Sequence, residues 1–367
     1  MAAMTRRERL RRCYCHEETD RPAVYSRMGF PTDDPTYERL KAYLHLYTEQ
    51  KHTWRCDPLH EPTPVECHDE PHSSAFKRRL VVLHTPAGDL RRTELVSLRG
   101  LPGMQETYFV NSPQDALRYL SLPLPECRGH GEEESFHAAE KLVGDRGIVD
   151  VGLGLNPAGF VAELCGSETF AVLSVTHRDV LHALCQRQAE ILSRRIRHIL
   201  GLGIGPFFST LGQEYVVPPL HGPRDFQDFN VRYDKPLVDL VHDAGGRMHV
   251  HCHGPIAAVF PGFLEMGADV LHPCEPPPMG NVTAAQVRQW ASGRLCMEGN
   301  IQIHCMYEAT PDEVRQETLQ LIADAFDRGG LIVSPSASPY IRGQGEVCFP
   351  QYRAMIDAVV QAPGGVL

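Results

Sequence analysis

From about residue 147 onward, short apolar runs ending in Gly, Pro or polar residues alternate with longer segments in which apolar residues recur at helical spacing. The short runs predict strands at Ile148 to Leu153, Gly203 to Ser209, Gly246 to His251, Asp269 to Pro273, Arg294 to Met297 and Gly330 to Ser334. Between the first two, Val180, Leu184, Ile191, Leu192, Ile196, Ile199 and Leu200 form one stripe opposite Arg187, Arg194 and Arg197, which predicts a long amphipathic helix. Two later helices announce their starts: Thr283 with Gln286, and Thr310 with Glu313, fit the capping box, and Pro311 takes the first helical position of the second. Pro261 kinks the segment Ile256 to Met266 or delays its start. Repeated strand-then-helix units with short links imply a parallel sheet, and their number favours a single closed (β/α)8 barrel over an open sheet.

The first 146 residues are less regular. A basic amphipathic start runs from Thr5 to Cys15, a short β-like run follows at Ala23 to Ser26, and a hairpin is expected from Arg79 to His84 and Leu90 to Val96 around the turn Thr85 to Asp89. Residues 121–136 read as a loop. The expectation is one α/β domain over 1–367, with 1–146 as an N-terminal elaboration that includes the hairpin and 147–367 as regular units.

Composition narrows the classes. With 36 basic and 46 acidic residues the net charge is −10, which argues against a nucleic-acid partner. No stretch approaches the ~20 uninterrupted apolar residues of a membrane span, and the charged N-terminus has no apolar segment behind it, so the expectation is a cytoplasmic chain with no membrane partner. Twelve cysteines without a CxxC pair predict reduced thiols, most of them buried.

Nineteen histidines matter through their placement. In Met248-His-Val-His-Cys-His-Gly254, His251 and His253 lie two apart, so in a strand they project to one side and can converge on one ion. The next strand ends His272-Pro-Cys-Glu275 and the one after it Glu298-Gly-Asn300. Strand ends of a barrel meet on one face, so Glu275, or Cys274 in its place, can complete a zinc site with His251 and His253.

Thr5-Arg-Arg-Glu-Arg-Leu10 followed by Asp20-Arg-Pro-Ala-Val24, His221-Gly-Pro-Arg-Asp-Phe226, Met266-Gly-Ala-Asp269 and the stretch from His251 to Asn300 resemble the uroporphyrinogen decarboxylase superfamily, in its methyltransferase-like branch. The resemblance covers nearly the whole chain and implies a (β/α)8 barrel with a tendency to dimerise. It also implies a corrinoid-dependent methyl transfer to or from a small molecule, the corrinoid being carried by a separate protein, with a zinc-activated thiol acceptor. His251 matches the family histidine and His253 falls at its first cysteine, whereas Ile332 to Tyr340 puts serine or alanine where the second cysteine belongs. Porphyrinogen decarboxylases carry paired arginines after the first strand; Tyr25-Ser-Arg-Met-Gly-Phe30 has Arg27 alone. A carboxy-lyase acting on a tetrapyrrole or other polycarboxylate, and a non-catalytic corrinoid binder, are the alternatives. Glu214 is the expected proton acceptor or a partner that orients one, with His251 and His253 as the other catalytic residues, and Arg27, Tyr215, Asn300 and Tyr340 are the expected substrate contacts. The loop around Tyr340 and Arg342 is either a lid or plain surface.

Overall fold

In the computed structural model, which describes residues 4–56, 59–60, 65–100, 102–127 and 132–361, eight parallel strands form one curled sheet. They are β1 (Ala23–Val24), β2 (Gln50–Trp54), β3 (Gly147–Leu155), β4 (Phe207–Leu211), β5 (Arg247–Cys252), β6 (Val270–Pro273), β7 (Cys296–Ile301) and β8 (Leu331–Pro335). β2 to β8 pair in chain order, and β8 pairs with β1. The remaining seam, between β1 and β2, carries no ladder but is tied by Glu49 N–H donating to Val24 O at 3.0 Å. That cyclic order is the topology of a TIM-like barrel, as the alternation predicts. Between β2 and β3 lies an antiparallel sheet of four strands, Val65–Pro71, Phe76–Leu83, Leu90–Ser97 and Met104–Gln105, which contains the expected hairpin.

The helix stripe is realised as Arg178–Gly201, and both capping boxes close reciprocally at Thr283 and Thr310. Pro261 sits in the first turn of Phe260–Met266, so that helix starts late rather than kinking. Two expectations need correction. β4 begins at Phe207, because residues 203–206 form the link from the preceding helix, and the stretch read as a loop to residue 136 becomes helix from Glu132. Glu132, Glu133 and Glu134 fill that helix's first turn, where acidic side chains offset the exposed N–H dipoles; read one by one, they look like loop polarity.

Helix Arg6–Tyr14 plugs the bottom of the barrel, packing Leu10, Cys13 and Tyr14 against Ile148, Phe207, Val270, Cys296 and Ile332. Each such side chain removed from water contributes ~1.5–3 kcal/mol. A buried ionic cluster fastens the same helix. Arg9 donates to Asp20 at 2.7 Å and to Glu49 at 2.6 Å, Arg21 donates to Glu49 at 3.0 Å, and Val24 N–H donates to the other Glu49 oxygen at 2.7 Å. The motif residues near the N-terminus therefore meet at the seam. All twelve cysteines are free thiols and seven are buried. Helix Pro157–Thr176 is long and apolar enough to cross a membrane, but much of it is buried against neighbouring helices, as a core helix is.

Candidate active site

Inward side chains alternate along each strand, and this sets the chemistry of the barrel interior in layers. Above the apolar floor the layer is polar: Tyr25, Lys51, Asp150, Ser209, His249, His272, Glu298 and Ser334. Lys51 Nζ donates to Glu298 at 2.6 Å and lies 4.7 Å over the Tyr25 ring, and Ser209 donates to Asp150 at 2.6 Å. Burial opposes the charge on Glu298, yet Lys51 and His249 outweigh it and hold its carboxyl well below the usual range. Asp150, where burial wins, is pushed up. Asp150 Oδ1, Glu298 Oε1 and Ser334 Oγ are buried without hydrogen-bond partners, and His249 Nε2 lies 3.3 Å from Glu298 Oε2. Lys51, Asp150, Ser209, His249 and Ser334 escape a reading focused on strand ends. Their signal is the repeated polar pair two residues apart, as in Lys51-x-Thr53, His249-x-His251 and Ser334-x-Ser336.

At the mouth, Arg27 from the end of β1 reaches across to the ends of β5 and β6. Its Nη1 lies 3.0 Å from His251 Nδ1 and 3.4 Å from His272 Nδ1, and the two Nδ1 atoms are 2.8 Å apart. The rings stack at 5.0 Å with 20° between planes. Burial and Arg27, joined by His272 in the case of His251 and by His249 and Lys51 in that of His272, hold both imidazoles well below their ordinary pKa, so both are neutral at pH 7. Only one Nδ1 can carry the proton shared between them. Arg27 can only donate, so His251 Nδ1, the nearer nitrogen, accepts from it and the neutral His251 carries its own proton on Nε2, while His272 Nε2 faces Pro335 O at 3.3 Å.

His251 and His253 do come together, with ring centroids 4.6 Å apart, but their nitrogens are used differently. His253 Nδ1 meets Glu275 Oε2 at 3.1 Å, and that oxygen also accepts from Gly254 N–H at 3.1 Å. Burial works against the charge of Glu275, but these two bonds prevail and lower its pKa. Cys274, the alternative ligand, is fully buried and its thiol donates to Leu271 O. Among the described residues no group of three His, Cys, Asp or Glu side chains is arranged to hold a metal ion. The expected set His251, His253 and Glu275 is not arranged as a zinc centre: Glu275 Oε2 is engaged by His253 and Gly254 N–H, and a guanidinium stands against His251 Nδ1, where a second cation would be repelled.

Glu214 lies in the turn Gln213–Val216 after β4, half-buried, near His253 and Arg27; burial raises its pKa, which suits a proton acceptor. A buried amide network holds this turn. Asn156 Nδ2 donates to both oxygens of Asp234 at 3.1 and 3.0 Å, Gln213 Nε2 donates to Asp234 at 2.8 Å, and Asn230 Nδ2 donates to Gln213 O. Even so, burial pushes Asp234 up to about 7. A carboxyl raised from its ordinary value makes the folded state bind the extra proton, so stability falls as pH rises from about 4 to about 7 and is level above. Urea unfolding of the native chain minus that of Asp234→Asn is expected to decline by about 2 kcal/mol between pH 5 and 7. A flat difference would show that the carboxylate is fully solvated or already ionised.

The other expected substrate contacts are placed differently. Tyr215 donates to Glu163 on helix Pro157–Thr176 and packs with the outer apolar cluster. Asn300 is buried, its Nδ2 donating to Cys274 O at 3.1 Å, so it ties β7 to the loop after β6. This approach is close: a Cβ on Gly299, whose φ is 144°, would lie 2.1 Å from Pro273 O. Tyr340 is exposed, but its loop is fastened. Tyr340 N–H donates to Tyr307 OH at 3.0 Å, Tyr37 OH donates to Ile341 O at 2.7 Å, and Gly343 N–H donates to Asp34 at 2.6 Å. That anchoring favours fixed surface over a free lid.

A TIM-like barrel with a cationic, histidine-rich mouth is the class these features define. Residues 155–345, more than half of the chain, match the uroporphyrinogen decarboxylase (URO-D) family, and the chain belongs to that family. Among solved structures, a methyltransferase from Methanosarcina mazei is similar in fold end to end: 13% identical, covering 98% of this chain and 99% of that one, with a TM-score of 0.61. A B12-independent methionine synthase from Shewanella sp. W3-18-1 is 13% identical over 66% of this chain and 70% of that one, with a TM-score of 0.44. No curated protein matches the chain.

Proposed function

We propose that the chain is a methyltransferase-like enzyme that holds a small carboxylate-bearing substrate at the barrel mouth. The observation that carries the site is Arg27 set against the neutral His251–His272 pair: a fixed cation with imidazole rather than carboxylate partners. Family membership and the end-to-end likeness to the Methanosarcina methyltransferase fold support the reaction class. The heteroatom that gains or loses the methyl group must lose or gain a proton. Glu214, His251 and His253 stand ready to move it. A corrinoid on a separate protein, acting as co-substrate, would supply or take the methyl group. The mouth as arranged does not fit zinc, and no step here passes through a metal held by the chain.

The test is a methylcobalamin assay, following the cobalt spectrum over a panel of thiols and of methoxy and amino acids. Arg27→Met is expected to lower kcat/KM for a carboxylate-bearing partner about 100-fold, mostly in KM, by removing charge-assisted hydrogen bonds. No change in the cobalt spectrum with any partner would refute the proposal. Arg27 also favours a second reading, a carboxy-lyase on a polycarboxylate. Formation of a four-carboxylate product from uroporphyrinogen would replace the first reading with it, and corrinoid binding without turnover would leave a non-catalytic binder.

A further inference from the structure

Above the Glu49–Val24 bond, β1 follows β8, with Tyr25 N–H donating to Val333 O at 2.9 Å, and parts from β2. A cavity of about 630 Å³ lies against this unladdered seam. Its lining runs from Arg27 and Ser338 at the mouth, past Lys51, to His45, His52 and Arg146 on the flank. The described lining holds three fixed cations and no aspartate or glutamate, in a chain whose net charge is −10. Lys51 is committed to Glu298, but among the described residues Arg27 and Arg146 are not committed to any carboxylate. Arg27 meets the two imidazoles. Arg146 Nη1 lies 2.8 Å from His45 Nε2, its Nε donates to Val143 O at 3.2 Å, and its Nη2 donates to Leu142 O. Backbone carbonyls orient the Arg146 guanidinium without neutralising it. A recess with low-dielectric walls and charge of one sign concentrates the field on whatever enters, and only anions are attracted to this one.

We infer that the seam cavity is a binding subsite for a small molecule bearing two or more carboxylate or phosphate groups, one held by Arg27 at the mouth and another by Arg146 on the flank. Assigning that molecule as the substrate rests on the reading proposed above; the anion site does not. The cavity volume falls within the usual range for a small-molecule site, and two separated guanidinium groups select a polyanion over a monoanion.

Isothermal titration at low ionic strength with citrate, pyrophosphate and acetate tests this directly. Citrate or pyrophosphate is expected to bind with one-to-one stoichiometry, acetate at least 10-fold more weakly, and added salt to weaken binding; which of the first two is preferred separates a carboxylate from a phosphate ligand. Arg146→Met is expected to cost about 10-fold in affinity, Arg146→Lys to retain most of it, and Arg353→Met, at an exposed arginine paired with Asp357, to change nothing. Arg146→Gln removes the charge while keeping a polar donor for Leu142 O and Val143 O, and should lose affinity as Arg146→Met does, which keeps the test open if Arg146→Met fails to fold. Absence of polyanion binding in the native chain, or equal binding by native chain and folded Arg146→Met, would overturn the inference. Arg146-dependent binding without methyl transfer would refute the proposed reaction alone, and methyl transfer without polyanion binding would refute the subsite alone.

Discussion

Replacing Glu49 by alanine is expected to destabilise the folded chain by about 3–5 kcal/mol, read as a fall in the urea midpoint. Glu49 is fully buried and accepts from Arg9, Arg21 and Val24 N–H at 2.6, 3.0 and 2.7 Å. Removing the carboxylate leaves the Arg9 guanidinium, itself 4% exposed, with Asp20 as its one remaining carboxylate among the described residues, and deprives a buried strand N–H of its acceptor. The loss exceeds the ~0–1 kcal/mol typical of a surface ion pair because none of these groups can recover its hydrogen bonds from water. Amide exchange localises the effect. The Glu49 and Val24 amides are expected to lose protection ahead of the rest of the barrel, because Glu49 N–H donating to Val24 O is the tie across the unladdered seam. Glu49→Gln keeps the shape but not the charge and should fall between the two. A loss below about 1 kcal/mol in Glu49→Ala would mean that water reaches the cluster.

Glu49 also shows where sequence reading stops. Its partners lie 25, 28 and 40 residues away, so nothing beside it marks it. The Arg9 and Asp20-Arg21 motifs are recognisable, but their meeting at the seam is a property of closure. What a sequence shows well is periodic: β3 to β8, the helix Arg178–Gly201 and both capping boxes follow from patterns within one element. The mouth is legible only halfway. Spacing brings His251 and His253 to one side, but the direction of each nitrogen depends on Arg27 from the end of β1 and on His272 and Glu275 from the end of β6. Likewise Gly343 reads as freedom in the last loop, whereas Tyr37, Asp34 and Tyr307, contributed by distant segments, fasten it. The polar middle layer hides for a different reason. One Lys, Asp, Ser, His or Glu per strand is unremarkable alone and becomes a layer only when eight strands set them at one height.

That layer yields the other large expected effect. Lys51→Met is expected to destabilise the chain by about 3–5 kcal/mol at pH 8, because Glu298, 0% exposed, loses the cation 2.6 Å away and keeps only His249 nearby, itself held neutral by burial. The pH dependence identifies the cause. With Lys51 present the folded-state pKa of Glu298 is lowered, so the stability it contributes is present above the ordinary carboxylate range and is lost as pH falls through that lowered value. Without Lys51, burial dominates and the pKa rises above its ordinary value, so the variant loses stability as pH increases from about 4. The gap between native and variant is therefore widest at pH 7–8 and narrows toward pH 4–5, about 1.4 kcal/mol for each unit by which the Glu298 pKa moves. Lys51→Met combined with Glu298→Gln removes the unpaired charge and should recover more than half of the loss at pH 8. A Lys51→Met penalty that stays constant from pH 5 to 8, or that persists in full in the double variant, would place the cost in lost packing over the Tyr25 ring rather than in a stranded carboxylate.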